Sequence, residues 1–97
     1  MKDNKFWEDY GWIIRGSQRK EVIRMMTERP ITAEELRKEV NVKTNLKLSL
    51  REMSRHFTSF TKRGFIRCLT PNAPYNRLYL ITPLGKKMKL EIERSKV

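Results

Sequence analysis

A chain of 97 residues fits one small domain with a thin core, which pairing with a second copy would help. No apolar run approaches the roughly 20 residues of a membrane span. The opening MKDNKFWEDY has early acids and aromatics where a signal peptide needs an apolar stretch. One cysteine, Cys68, and one histidine, His56, allow neither an intrachain disulfide nor a zinc site within one chain.

The net charge of +11 is unevenly spread. Residues 1–40 hold nine basic and eight acidic side chains, and residues 91–97 hold two of each. Residues 41–90 hold eleven basic side chains against a single acid, Glu52. A segment so unbalanced repels itself and is relieved when phosphates replace its counterions. Nucleic acid is therefore the expected partner. A membrane surface fits less well, because the helix of that segment mixes Ser and Thr with its cations and shows no exposed aromatic anchor.

The first stretch, KFWEDYGWII over residues 5–14, is dense in aromatics: Phe6, Trp7, Tyr10 and Trp12. It reads either as a short helix or arm folded over the core, or as a contact between two copies. Gly16-Ser17 breaks the pattern, and Ser17 can cap a helix over residues 18–28. Val22, Ile23 and Met26 form its apolar stripe, and Pro30 ends it. Ile31 should pack inward, as a one-residue strand at most. Thr32 and Glu35 have the spacing of a capping box, so a second helix is expected over residues 33–40 with Ala33, Leu36 and Val40 inward. Residues 41–47, NVKTNLK, read as a polar, basic connection, with loop favoured up to Ser49 over a next helix extended backwards through Leu46 from Asn45.

Ser49 and Glu52 form a second box at the start of a helix over about residues 49–63. Leu50, Met53, Phe57 and Phe60 recur at steps of three, four and three, which marks one face for burial. Arg51, Ser54, Arg55, Thr58, Ser59 and Lys62 fall on the other face, with side chains of the types that meet phosphates and base edges. Gly64 should stop this helix. Strands are expected over residues 65–70 and 77–81, joined by the turn PNAPYN, and Cys68 reads as a small buried residue on the first. Thr82 and Pro83 begin a last helix, to about Arg94, with Leu84, Met88 and Ile92 at steps of four. The fold class is mainly α with a small β-hairpin, a single domain of helices followed by a hairpin and a helix.

That order is the winged helix-turn-helix order. The run LSLREMSRHF from Leu48 to Phe57, followed by Gly64, Phe65 and Ile66, resembles small regulators of this type. So do CLTP from Cys68, RLYLIT from Arg77 and the pair Gly85-Lys86, and IRGSQR from Ile14 with Val22-Ile23 resembles the opening of archaeal members. The chain thus resembles an archaeal winged-helix transcriptional regulator of the ArsR/MarR-like group over about residues 12–90. Its connection between the second and third helices is about six residues longer than that group's usual tight turn, which adds Lys43 and Lys47 near the expected DNA surface. The clustered ligands of the metal-sensing branch are absent, and metal sensing is not carried over.

The resemblance implies that the helix at residues 49–63 enters the major groove of double-stranded DNA, with Ser49, Arg51, Ser54, Arg55 and Thr58 facing it. An arginine can grip a guanine edge with two bonds, and Arg51 and Arg55 lie one turn apart. Lys43, Lys47 and Lys62 suit backbone phosphates, though Lys62 and Arg63 also suit the negative end of a helix. Asn72, Asn76 and Arg77 on the wing, about residues 65–82, reach the flanking minor groove or backbone. His56 reads as structural or solvated, and Tyr75 and Tyr79 as packing groups. A homodimer is expected, its interface built from Phe6, Trp7, Tyr10 and Trp12 with Leu84, Met88 and Ile92. The expectation is a cytoplasmic, nucleoid-associated regulator with no cofactor and no enzymatic activity, since no nucleophile–base or paired-carboxylate motif stands in the basic half. A winged-helix adaptor that binds protein, or a binder of single strands or RNA, are the rival classes. A small-molecule effector, the operator and the direction of regulation are not legible.

Overall fold

The computed structural model describes residues 3–95. In chain order it contains α1 (Asn4–Ile14), α2 (Ser17–Met25), α3 (Ala33–Lys43), α4 (Leu50–Lys62), β1 (Ile66–Cys68), β2 (Tyr79–Ile81) and α5 (Pro83–Ser95). The protein is mainly helical with a small two-stranded antiparallel sheet. None of the helices among the described residues is long and apolar enough to cross a membrane.

Local chemistry sets most boundaries. Both capping boxes form: the Thr32 hydroxyl accepts from the Glu35 N–H and Ser49 from Glu52, while each glutamate accepts from its cap residue's N–H. Thr82 caps α5 by accepting from the Gly85 N–H at 3.0 Å, ahead of Pro83. At the end of α4, Gly64 takes φ +82°, Phe65 N–H reaches the Phe60 carbonyl at 2.9 Å and Gly64 N–H that of Thr61 at 3.1 Å. Those are the paired bonds of a Schellman ending, which needs a residue free to turn left-handed.

The aromatic stretch is the helix α1, capped by Asp3 accepting from Phe6 N–H. Several boundaries differ from the sequence expectation. Ser17 is the first residue of α2 rather than its cap; Gly16 holds the cap position and offers no side-chain bond. The same helix stops at Met25, because Met26 is already extended. Helix α3 runs three residues past Val40, so Asn41, Val42 and Lys43 are helical and the connection shrinks to residues 44–49. The strands are shorter than expected. Pairing does continue as Leu69 N–H to the Leu78 carbonyl, but Thr70 then closes the turn with its side chain on Leu78 N–H at 2.9 Å.

One core joins all the helices and the sheet. It holds Phe6 and Ile13 from α1, Val22 and Ile23 from α2, Leu36 and Val40 from α3, Met53, Phe57 and Phe60 from α4, Ile66 and Ile81 from the sheet, and Met88 and Ile92 from α5. Ile31 forms a lone bridge with Tyr79, so β2 is paired on both edges. Helix α5 presses on the sheet through Gly85, where a Cβ would come within 2.1 Å of the Phe65 carbonyl oxygen. Cys68 is only half-buried.

Burial corrects two expectations. Phe6, Met88 and Ile92 lie inside this core and cannot form a surface between copies. Leu50, expected in the buried stripe, is 49 % exposed. Leu48, just before the cap of α4, is buried in its place together with Met53, the two positions of a hydrophobic staple.

Candidate nucleic-acid interface

Helix α4 is positioned from three sides. Its buried stripe sits in the core, and Phe57 meets Tyr79 of β2 edge-on at 4.8 Å. Its start is fixed by the connection from α3. There the Asn41 amide donates to the Leu48 carbonyl and accepts from the Leu48 N–H, both at 2.9 Å. Thr44 bonds the Val40 carbonyl at 2.7 Å and accepts from Leu46 N–H. The lengthened connection is thus a built structure, pinned by side chains that mimic a strand partner.

Its far end is clamped to α1. Arg63, which caps α4, pairs with the buried Asp9 of α1, to which Lys5 also binds at 3.3 Å. The Arg63 guanidinium lies 3.8 Å from the Trp12 ring centre, and Arg19 covers the same ring at 4.4 Å. Arg19 also donates to the Trp12 carbonyl. On the α2 side, His56 bonds Gln18 at 2.9 Å, and Gln18 reaches Glu52 at 3.3 Å. His56 stacks on Phe60 and is half-buried. Desolvation, with Arg19 and Arg55 nearby and partly offset by Glu52, holds its pKa below the ordinary value. The bonded network makes it a structural histidine.

What α4 leaves outside is cationic and unpaired. Arg51, Ser54, Arg55, Thr58 and Lys62 are all exposed. Lys47, Arg51, Arg55, Lys62 and Arg67 meet no carboxylate among the described residues. Of the basic side chains in residues 41–90, the acids of the first 40 residues pair, among the described residues, with Lys43, Arg63 and Lys86, through Glu39, Asp9 and Glu28. The single acid of the basic segment, Glu52, is turned inward to its cap and Gln18, and these bonds lower its pKa. A row of cations without ion-pair partners on a helix locked into the core, with Glu52 near Arg55 as its acidic neighbour, gains from a polyanion.

Beside this row runs a cleft of about 340 Å³ between α4, the start of α3 and the hairpin turn. It brings together Ser54 and Thr58 with Asn76 and Arg77, and adds Leu50 and Tyr75. Within the turn, Arg77 Nε donates to the Ala73 carbonyl at 2.8 Å, and Asn76 takes the left-handed φ of +53°. Tyr75, expected to pack, is instead 80 % exposed at its tip. Tyr79 packs as expected.

The remaining expected residues scatter. Ser49 spends its hydroxyl oxygen on the helix start, and Lys43 pairs with Glu39 at 2.8 Å. Asn72 is exposed in the turn but does not line the cleft. Sequence reasoning missed Arg67, whose signal was available: on β1 it alternates outward from buried Ile66. Of the residues expected at a dimer contact, Tyr10, Trp12 and Leu84 are half-buried against the core, and of these Leu84 lines an open cleft together with Trp7. This second cleft, of about 700 Å³ between α1 and α5, is also lined by Leu90, which had not been anticipated; Trp7 is 45 % and Leu90 57 % exposed.

Comparison with family models, with curated proteins and with solved structures gives no match to this chain.

Proposed function

We propose that the protein is a winged helix-turn-helix regulator that binds double-stranded DNA in a sequence-specific manner. In this reading α3 and α4 are the helix-turn-helix pair, α4 lies in the major groove, and the hairpin is the wing on the flanking backbone or minor groove. The observation that carries it is the outer face of α4, where Arg51, Arg55 and Lys62 stand exposed without carboxylate partners while the opposite face is locked in the core. Arg51 and Arg55 reach base edges, and Lys47 and Lys62 hold phosphates on either side. The protein acts as a homodimer through the α1–α5 cleft at Trp7, Leu84 and Leu90. Two copies of α4 about 34 Å apart would then read a pseudo-palindrome.

Selection of bound sites from a randomised duplex pool, followed by titration of two variants, tests this. Arg55→Ala should weaken the selected site by roughly 1–3 kcal/mol and random duplex by much less. Lys47→Ala should weaken both alike and flatten the salt dependence by about one unit. Failure to retain any duplex at low salt would favour the adaptor class, and preference for single strands would favour the third.

A further inference from the structure

The outer face of α4 carries two parallel rows, and only one of them is cationic. Arg51 and Arg55 make the first. Leu50, Ser54 and Thr58, at steps of four, make the second, and this row borders the cleft beneath the hairpin turn. Two of its three members present carbon. Leu50 is 49 % exposed at the first helical position, since Leu48 has taken the core place beside it. Thr58 is exposed and donates its hydroxyl hydrogen to the Ser54 carbonyl at 3.0 Å, so it has no hydroxyl donor left for a partner and offers a methyl group and an acceptor oxygen. An apolar row beside a row of guanidinium groups has an obvious complement in a major groove. The 5-methyl of thymine is the apolar group on the base-pair edges, next to acceptors that arginine reads.

We propose that Leu50 and Thr58 are specificity-determining residues that select thymine through its 5-methyl group, while Arg51 and Arg55 select guanine. The inference rests on the duplex-binding reading above. Leu50 is at the N-terminal end of α4, the end that enters a groove most deeply in helix-turn-helix docking. Covering one methyl group stabilises by about the amount that changes binding fourfold, so each thymine contacted should add a factor of that size.

The probe is the duplex recovered from a randomised pool, remade with deoxyuridine in place of thymidine at one position at a time. Uracil keeps every hydrogen-bonding group of thymine and lacks only the methyl. The wild-type protein should lose about fourfold at one or more positions. L50A should bind the thymine and uracil forms of its position equally, and T58S, which keeps the hydroxyl bond to Ser54, should do the same at its own. Equal binding of both forms by the wild-type protein overturns the assignment, as does an unchanged uracil penalty in both variants. Retention of no duplex at all by the wild-type protein overturns the duplex-binding reading and this inference with it.

Discussion

Replacing Asn41 by Ala should destabilise the fold far more than a half-buried polar side chain normally would. Its amide makes both backbone bonds of Leu48, at 2.9 Å each, in the connection that sets where α4 begins. Leu48 itself is 2 % exposed, so its N–H would be left without a partner and away from water. Its carbonyl would fare better, because Arg37 Nη1 lies 3.4 Å away. One net hydrogen bond is worth about 1 kcal/mol and one buried orphan donor costs about 1–3 kcal/mol, which together give roughly 2–4 kcal/mol. For a domain of this size each kilocalorie lowers the midpoint by about 4–8 °C, so the melting temperature should fall by at least ~8 °C. Urea unfolding followed by circular dichroism gives the free energy directly. Asn41→Asp should recover part of the loss, since a carboxylate still accepts from the Leu48 N–H. A change below ~0.5 kcal/mol in N41A would refute the idea that this side chain holds the connection.

Three further outcomes follow from the packing. Gly85→Ala places a methyl 2.1 Å from the Phe65 carbonyl oxygen and 2.7 Å from Ile81 Cγ1, and should cost about 3 kcal/mol in urea unfolding; a neutral result would mean that α5 can slide on the sheet. Arg63→Ala strands the buried Asp9 with Lys5 as its remaining ion-pair partner and uncovers one face of Trp12, so a loss of roughly 3 kcal/mol is expected, mostly relieved by adding Asp9→Asn in a double-mutant cycle. His56 has a folded-state pKa below its unfolded value of 6.5, so its stabilising contribution is full above that pH and is lost as the pH falls through the folded value. The urea midpoint should accordingly drop as the pH falls below about 6.5. His56→Gln should flatten that drop, and an equal drop in the variant would place the cause elsewhere.

The boundaries that were legible in the sequence are those fixed by neighbours within one turn. Thr32 with Glu35, Ser49 with Glu52, Thr82 with Pro83, and Gly64 each act through bonds three to five residues long, and each stands where its spacing put it. The stripe of Met53, Phe57 and Phe60 was equally readable, because a helix with one apolar face has one way to bury it. What escaped depends on partners far along the chain. The Asn41 amide closes on a backbone seven residues away, and α3 stays helical to Lys43 where composition suggested loop. Leu50 obeys the periodicity but loses its place to Leu48, a competition that spacing alone does not decide. Asp9 and Arg63 meet across 54 residues, so neither the burial of that acid nor the clamp between α1 and α4 has a local signature. For the same reason the aromatic stretch could be read as core or as interface: Phe6 proved to be core, and Trp7 stays half outside. The site residues were legible as types on a face, while the cleft that unites Ser54 and Thr58 with Asn76 and Arg77 came only with the hairpin's position.

The most direct test of duplex binding by α4 is a titration of the isotopically labelled protein with a selected DNA duplex, followed by backbone amide shifts. The largest changes should fall on Lys47, on the outer residues of α4 from Ser49 to Lys62, and on the turn from Asn72 to Arg77. Changes confined to the cleft of Trp7, Leu84 and Leu90, with α4 silent, would contradict it.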